Sequence, residues 1–214
     1  MASSPFPGPV VATGGADADA DAPLVVLLHG RGADERSILS LVPHLPQHLA
    51  YAAVRAPIAE GGGYAWFANR GIGRPVAASL AATMEWFRTW LDEAAPAGRP
   101  VVLVGFSGGA AFAGGLVLSD PSRYAGAAVL NGTLPFEAGV PVDGGQLDGT
   151  AVLVAHGDAD TVIPRQLLDR TWTYLHEESG ARLTSHRDAG GHGLSAGTVG
   201  ALSAWLHEVA VKDE

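Results

Sequence analysis

The sequence predicts an α/β fold, a mostly parallel central sheet with helices on both faces, and three observations carry that expectation. Short apolar runs rich in β-branched residues alternate with longer segments of helical period. The runs are apolar at nearly every position rather than at alternate ones, and glycines and titratable residues gather just beyond them. A strand buried on both faces is apolar throughout, and strands that alternate with helices pair in parallel. With 214 residues, 47% of them hydrophobic, the chain can bury one sizeable core and is too apolar to stay unfolded.

Strands are expected over 24–28, 51–55, 101–104, 127–130, 151–155 and 182–186, and helices over 36–49, 75–94, 109–119, 164–179 and 195–210. The second helix shows its period most clearly, with Leu80, Met84, Phe87 and Leu91 falling on one face. Residues 1–22, ending in ADADADA, have few large apolar side chains and read as a flexible or loosely docked leader, within which Val10-Val11 is a candidate edge strand. Residues 23–214 then form a single domain. No internal repeat points to a solenoid or barrel.

Composition narrows the function. The chain has no cysteine, which excludes a disulfide framework, thiolate metal sites and a cysteine nucleophile together. A net charge of −9 without a Lys/Arg cluster argues against nucleic acid or an anionic membrane surface as partner. No apolar stretch is long enough to insert in a membrane, and no secretory signal precedes the domain, so a cytoplasmic location is expected. The substrate is expected to be a small, neutral molecule, and a homodimer is left open.

In a parallel sheet the functional loops lie at the carboxyl ends of the strands. Those ends carry His29-Gly30-Arg31-Gly32, Gly105-Phe106-Ser107-Gly108-Gly109, Asn131-Gly132, His156-Gly157-Asp158-Ala159-Asp160 and the segment from Asp188 to Gly193. The G-x-S-x-G at 105–109 comes after VVLV and precedes a helix. A sharp strand-to-helix turn with serine at its apex leaves no room for side chains two positions to either side, and it aims the hydroxyl at the N-terminus of the next helix. Neither a dinucleotide fingerprint nor a phosphate-binding P-loop pattern occurs.

A serine nucleophile needs a base, and the base needs a third group to fix its tautomer. His192, in AGGHGL, lies between the last strand and the last helix with glycines on both sides. His44, His48, His176 and His207 lie on helices, His186 lies inside a strand, and His29 and His156 precede the serine or the acid in the chain. The acid is Asp158 or Asp160. Asp158 suits a turn at the strand end, and Asp160, further out, is favoured. Asp188 is an outside candidate, on the same loop as His192. The loops 60–73 and 131–146 carry Tyr64, Trp66, Phe67, Leu134 and Phe136 near the active edge, where Trp66, Phe67, Leu134 and Phe136 are candidate substrate contacts. The Arg31 side chain is expected to be solvated. The 131–150 loop is the longest insertion between the fourth and fifth runs, so no large lid domain is expected.

Six segments, LLHGRGADE at 27–35, YAWF at 64–67, GFSGG at 105–109, LNGTLP at 130–135, HGDADTVIP at 156–164 and GGHGL at 190–194, occur in the order found in one family. In them the chain resembles the phospholipase/carboxylesterase family of α/β-hydrolases, which includes acyl-protein thioesterases, from about residue 23 to 209. The resemblance implies an α/β-hydrolase fold with Ser107 as nucleophile, Asp160 as acid and His192 as base. It further implies the backbone N–H groups of Arg31 and Gly108 as an oxyanion hole, with no metal or organic cofactor. The family usually has glutamine where Gly108 stands. The activity implied is hydrolysis of esters or thioesters, and the expected open groove without a large lid points to short to medium acyl chains. A non-catalytic ligand receptor of this fold would be expected to lose one of Ser107, Asp160 and His192, and all are present. A peptidase or lysophospholipase would share them, and a dienelactone-type hydrolase usually has a cysteine nucleophile.

Overall fold

The computed structural model describes residues 5–16 and 22–210. Its strands are β1 (Val11–Gly15), β2 (Leu24–Leu28), β3 (Ala50–Val54), β4 (Ile58–Glu60), β5 (Gly63–Ala65), β6 (Val101–Phe106), β7 (Gly126–Leu130), β8 (Ala151–Gly157) and β9 (Arg182–Asp188). The core sheet has the order β1-β3-β2-β6-β7-β8-β9, and β4 and β5 pair separately. All core strands pair in parallel except β1, which runs antiparallel to β3 along one edge. From β2 the chain steps outward to β3, then returns to the far side of β2 to form β6. That reversal leaves a crevice above the carboxyl ends of β2 and β6.

Alternation along each strand sends side chains to two cores. Val26 and Leu28 face one cluster, with Leu80, Phe87 and Leu91 of α2 (Ala77–Ala94) and Phe112 and Leu116 of α3 (Gly108–Ser119). Val25 and Leu27 face the other, with Ile38 of α1 (Glu35–Leu39) and Leu202, Trp205 and Leu206 of α5 (Ala196–Val209). α4 (Arg165–Thr173) continues through a π turn at Tyr174–Glu178, which adds Tyr174 and Leu175 to the first cluster. α3 is buried almost all round, so it is apolar all round. The helices thus cover both faces of an α/β-hydrolase fold, and no lid is evident among the described residues. No helix there is long and apolar enough to cross a membrane.

Three expectations need correction. The leader reading gives way at 11–15, where the edge strand anticipated at Val10-Val11 is present as β1 and extends to Gly15, and residues just before it dock, Trp86 Nε1 donating to Pro7 O (2.7 Å) with Phe6 against the Trp86 ring. The remainder of the leader reading, at 1–4 and 17–21, lies outside the described residues. The helix expected over 36–49 is only α1 followed by a 3-10 turn at Val42–His44, because Pro43 and Pro46 cannot continue an α-helix. Around the start of the 60–73 loop, β4 and β5 form a small hairpin too short to show a period.

Candidate active site

The elbow after β6 is built as the glycine spacing requires. Ser107 has φ 54°, a left-handed conformation in which a non-glycine residue is strained. A Cβ on Gly105 would lie 2.2 Å from the carbonyl oxygen of Gly109, and one on Gly109 would lie 2.1 Å from the carbonyl oxygen of Leu28. These two glycines therefore let α3 fold back onto β2 and β6. A Cβ on Gly108 would lie 3.3 Å from Arg31 N, a tight contact that a shift of a few tenths of an ångström in the Arg31 backbone would relieve, so glycine is far less strictly required there than at 105 and 109. The Ser107 N–H donates to Leu130 O (2.9 Å), which fixes the turn to β7.

Ser107, Asp160 and His192 come from three separate loops and meet in one hydrogen-bonded line. Ser107 Oγ lies 2.9 Å from His192 Nε2, and His192 Nδ1 lies 2.8 Å from Asp160 Oδ2. The other Asp160 oxygen accepts from Val162 N (2.8 Å) and Ile163 N (3.0 Å). Burial alone would raise this carboxyl. The bonds from His192, Ile163 and Val162 outweigh it and hold the pKa below the ordinary aspartate value, so the group stays an anion that accepts from Nδ1–H.

The other candidates have different partners. Asp158 is half exposed and pairs with Arg187, whose Nε donates to it at 3.0 Å, a bond that lowers its pKa. Asp188 is a structural clamp: it accepts from Ser195 Oγ, Thr198 Oγ1 and Gly190 N, joining the end of β9 to the start of α5. His29 is buried, with Nε2 accepting from Ala56 N–H (3.0 Å) and Nδ1 2.7 Å from Gly30 O. That pair of partners requires the neutral Nδ1–H tautomer, and burial pushes its pKa below the usual histidine value.

Arg31 is exposed, as expected, but its side chain is not free. Its guanidinium forms a bidentate pair with Glu60 on β4 and donates from Nη1 to Phe67 O (3.0 Å). Gly32 N–H donates to Tyr64 O (2.9 Å) and Tyr64 N–H to Ala33 O (3.0 Å), so the loop after β2 is bound to the hairpin by both side chain and backbone. Gly108, directly after Ser107 in the chain, packs against the Arg31 backbone, and the N–H groups of Arg31 and Gly108 have no protein acceptor among the described residues. Gly108 opens α3, where an N–H is free of intrahelical bonds and the helix dipole favours negative charge.

A cavity of about 340 Å³ opens at Ser107 and His192. Trp66, Phe67 and Leu134 line it, as anticipated. Trp66 is held by a bond from Nε1 to His29 O (2.8 Å) and by stacking on Phe112. Phe136 does not line it: the turn at Leu134-Pro135, closed by Phe136 N to Leu134 O, sends the ring away to an edge contact with Tyr174 beneath Arg170. Sequence reasoning missed Ile72 and Pro75 of the 60–73 region and its flank, and Val162 and Ile163 beyond Asp160, which complete the apolar wall. Their adjacency to Asp160 and to the aromatic loop was the only signal of them in the sequence.

Comparisons with known proteins show the family. Residues 11–208 match the model of the family described as phospholipase/carboxylesterase. MhqD of Bacillus subtilis (strain 168), a putative hydrolase by name, is 27% identical over 196 residues, 88% of this chain and 94% of that protein. A solved carboxylesterase of Bacillus cereus superposes with a TM-score of 0.80 at 24% identity, covering 94% of this chain and 93% of its own. One of Mesorhizobium loti superposes with a TM-score of 0.77 at 25% identity, covering 86% and 88%. The chain belongs to the phospholipase/carboxylesterase family of hydrolases, which act on carboxylic ester bonds.

Proposed function

We propose that the protein is a serine carboxylesterase that hydrolyses short to medium acyl esters and thioesters through an acyl-enzyme. The observation that carries this reading is the continuous line Ser107 Oγ, His192 and Asp160, with hydrogen bonds of 2.9 and 2.8 Å, at the floor of an apolar cavity. Ser107 Oγ attacks the ester carbonyl carbon while His192 Nε2 takes its proton. Asp160 holds Nδ1–H and stabilises the imidazolium. The N–H groups of Arg31 and Gly108 receive the oxyanion, each donor contributing about 2.7–4 kcal/mol in comparable sites. Collapse of the tetrahedral species breaks the bond to the alcohol or thiol, which leaves with the proton from Nε2. Water then attacks the acyl-enzyme by the same steps and regenerates Ser107.

Trp66, Phe67, Leu134, Ile72, Val162 and Ile163 offer apolar surface to an acyl chain. Each methylene that becomes buried there contributes about 0.8 kcal/mol, roughly fourfold in kcat/KM. Aryl esters of rising chain length, assayed below their micelle concentrations, test this together with fluorophosphonate labelling of the wild type and Ser107→Ala. We expect labelling only with Ser107 present, and kcat/KM that climbs over the first few carbons before levelling. No labelling of folded wild type would favour a receptor. A rise continuing to long chains would point to a lipid hydrolase instead.

A further inference from the structure

We infer that Asn131 is a positioning residue for His192: its carboxamide holds the carbonyl of Gly191 and so fixes the loop that carries the imidazole at hydrogen-bonding distance from Ser107. Asn131 Nδ2 donates to Gly191 O at 3.0 Å, across a separation of sixty residues in sequence. Gly190, Gly191 and Gly193 surround His192 and have no side chains to hold the loop to the sheet; within the loop Gly193 N–H donates to the same Gly191 O (3.0 Å), and Asn131 joins that carbonyl to the end of β7. Residue 190 is held by Ala159 N to Gly190 O (2.9 Å) and by Gly190 N to the Asp188 carboxylate. Residue 191, next to the imidazole, is held by Asn131.

Asn131 is also well placed to transmit register. It comes directly after Leu130, whose carbonyl accepts the Ser107 N–H, and its own N–H donates to Ala155 O of β8 (2.8 Å). One residue therefore touches the strand leading to the acid and the loop of the base, and its neighbour in the chain fixes the nucleophile. The backbone there is strained, with φ 45° on a fully buried residue, and the side-chain Oδ1 is buried with no hydrogen-bond partner among the described residues. Strain of this kind persists where the surroundings over-determine a conformation, and it clusters at functional sites.

The inference rests on the esterase reading, and Asn131→Gly separates the two. Glycine tolerates this φ, so the variant removes the tether while relieving the backbone. We expect Tm at or above that of the wild type, KM within about twofold, and kcat lower by about 10- to 100-fold, as for a small displacement of a reacting group. Asn131→Asp, the same shape without the N–H donor, is expected to lose kcat similarly. A readout independent of turnover is the imidazole NMR signal of His192 without substrate, expected to broaden or shift in Asn131→Gly. Wild-type kcat and an unchanged imidazole signal in that variant would overturn the inference, as would a fall in Tm with kcat per folded molecule preserved. Failure of the esterase reading would appear in the wild type, as absence of turnover, while the imidazole signal would still decide the role of Asn131.

Discussion

Replacing Asp160 by asparagine exchanges one oxygen of a buried carboxylate for an NH2 group, and the hydrogen bonds around it decide which oxygen is lost. One carboxylate oxygen accepts from Val162 N and Ile163 N, and the other accepts from His192 Nδ1. A carboxamide has one acceptor oxygen. The pair of backbone N–H groups claims it, so the NH2 is turned toward His192. Two donors cannot share that contact, and the imidazole must adopt the Nε2–H tautomer, which presents a proton to Ser107 rather than a lone pair. Loss of the correct tautomer in a comparable relay costs about 10⁴ in kcat, equivalent to about 5.4 kcal/mol of transition-state stabilisation. Thermal unfolding should change far less, because both backbone bonds persist with a neutral acceptor in place of a charged one, a loss of about 1–2 kcal/mol. The assay is steady-state hydrolysis of a short aryl ester alongside a melting curve for Asp160→Asn and Asp158→Asn. The second variant should keep kcat within about twofold, since an exposed ion pair does little to fix geometry. A kcat for Asp160→Asn within about tenfold of the wild type would refute the tautomer argument. Equal losses in the two variants would refute the assignment of the acid.

The elbow and the buried histidines offer further tests. Gly109→Ala drives a methyl into the Leu28 carbonyl, so it should lower stability by the upper end of about 1–3 kcal/mol or abolish folding, whereas Gly108→Gln should fold normally; circular-dichroism melts distinguish them. His29 and His156 are neutral in the fold because burial lowers their pKa below that of the unfolded chain. Protons then bind preferentially to the unfolded state, so stability is full above about pH 6.5 and declines as pH falls toward the depressed folded values. Calorimetric Tm should drop between about pH 7 and 5, and a flat profile would contradict the neutral assignment.

How much of this was legible in the sequence depends on whether a feature has a local signature. Five of the six expected strands were visible as apolar runs, the exception being the polar 182–186, and the elbow as two glycines whose absent side chains would each strike a backbone carbonyl. Ser107, Asp160 and His192 could be selected because each lies just past a strand and a parallel sheet brings such points to one edge. β1, VATGG, was signalled only by Val10-Val11; the small residues that follow carry little strand character, so its extent to Gly15 along the edge of β3 was not legible. The pairing of Arg31 with Glu60 joins residues far apart in the chain, and no spacing or propensity encodes it. The same holds for Phe136, whose direction is set by a turn and by the position of Arg170 on another helix.

The sheet is open, and its last strand has consequences for the protein in solution. Among the described residues β9 pairs only with β8, leaving one side of its backbone unpaired, a template on which another chain could add a strand. Its sequence, RLTSHRD, is half-buried to exposed along its length and places Arg182, His186, Arg187 and Asp188 along that border. An incoming strand would have to desolvate those groups before gaining a ladder bond. Charge along the element that leads into the His192 loop thus raises the cost of pairing at this edge.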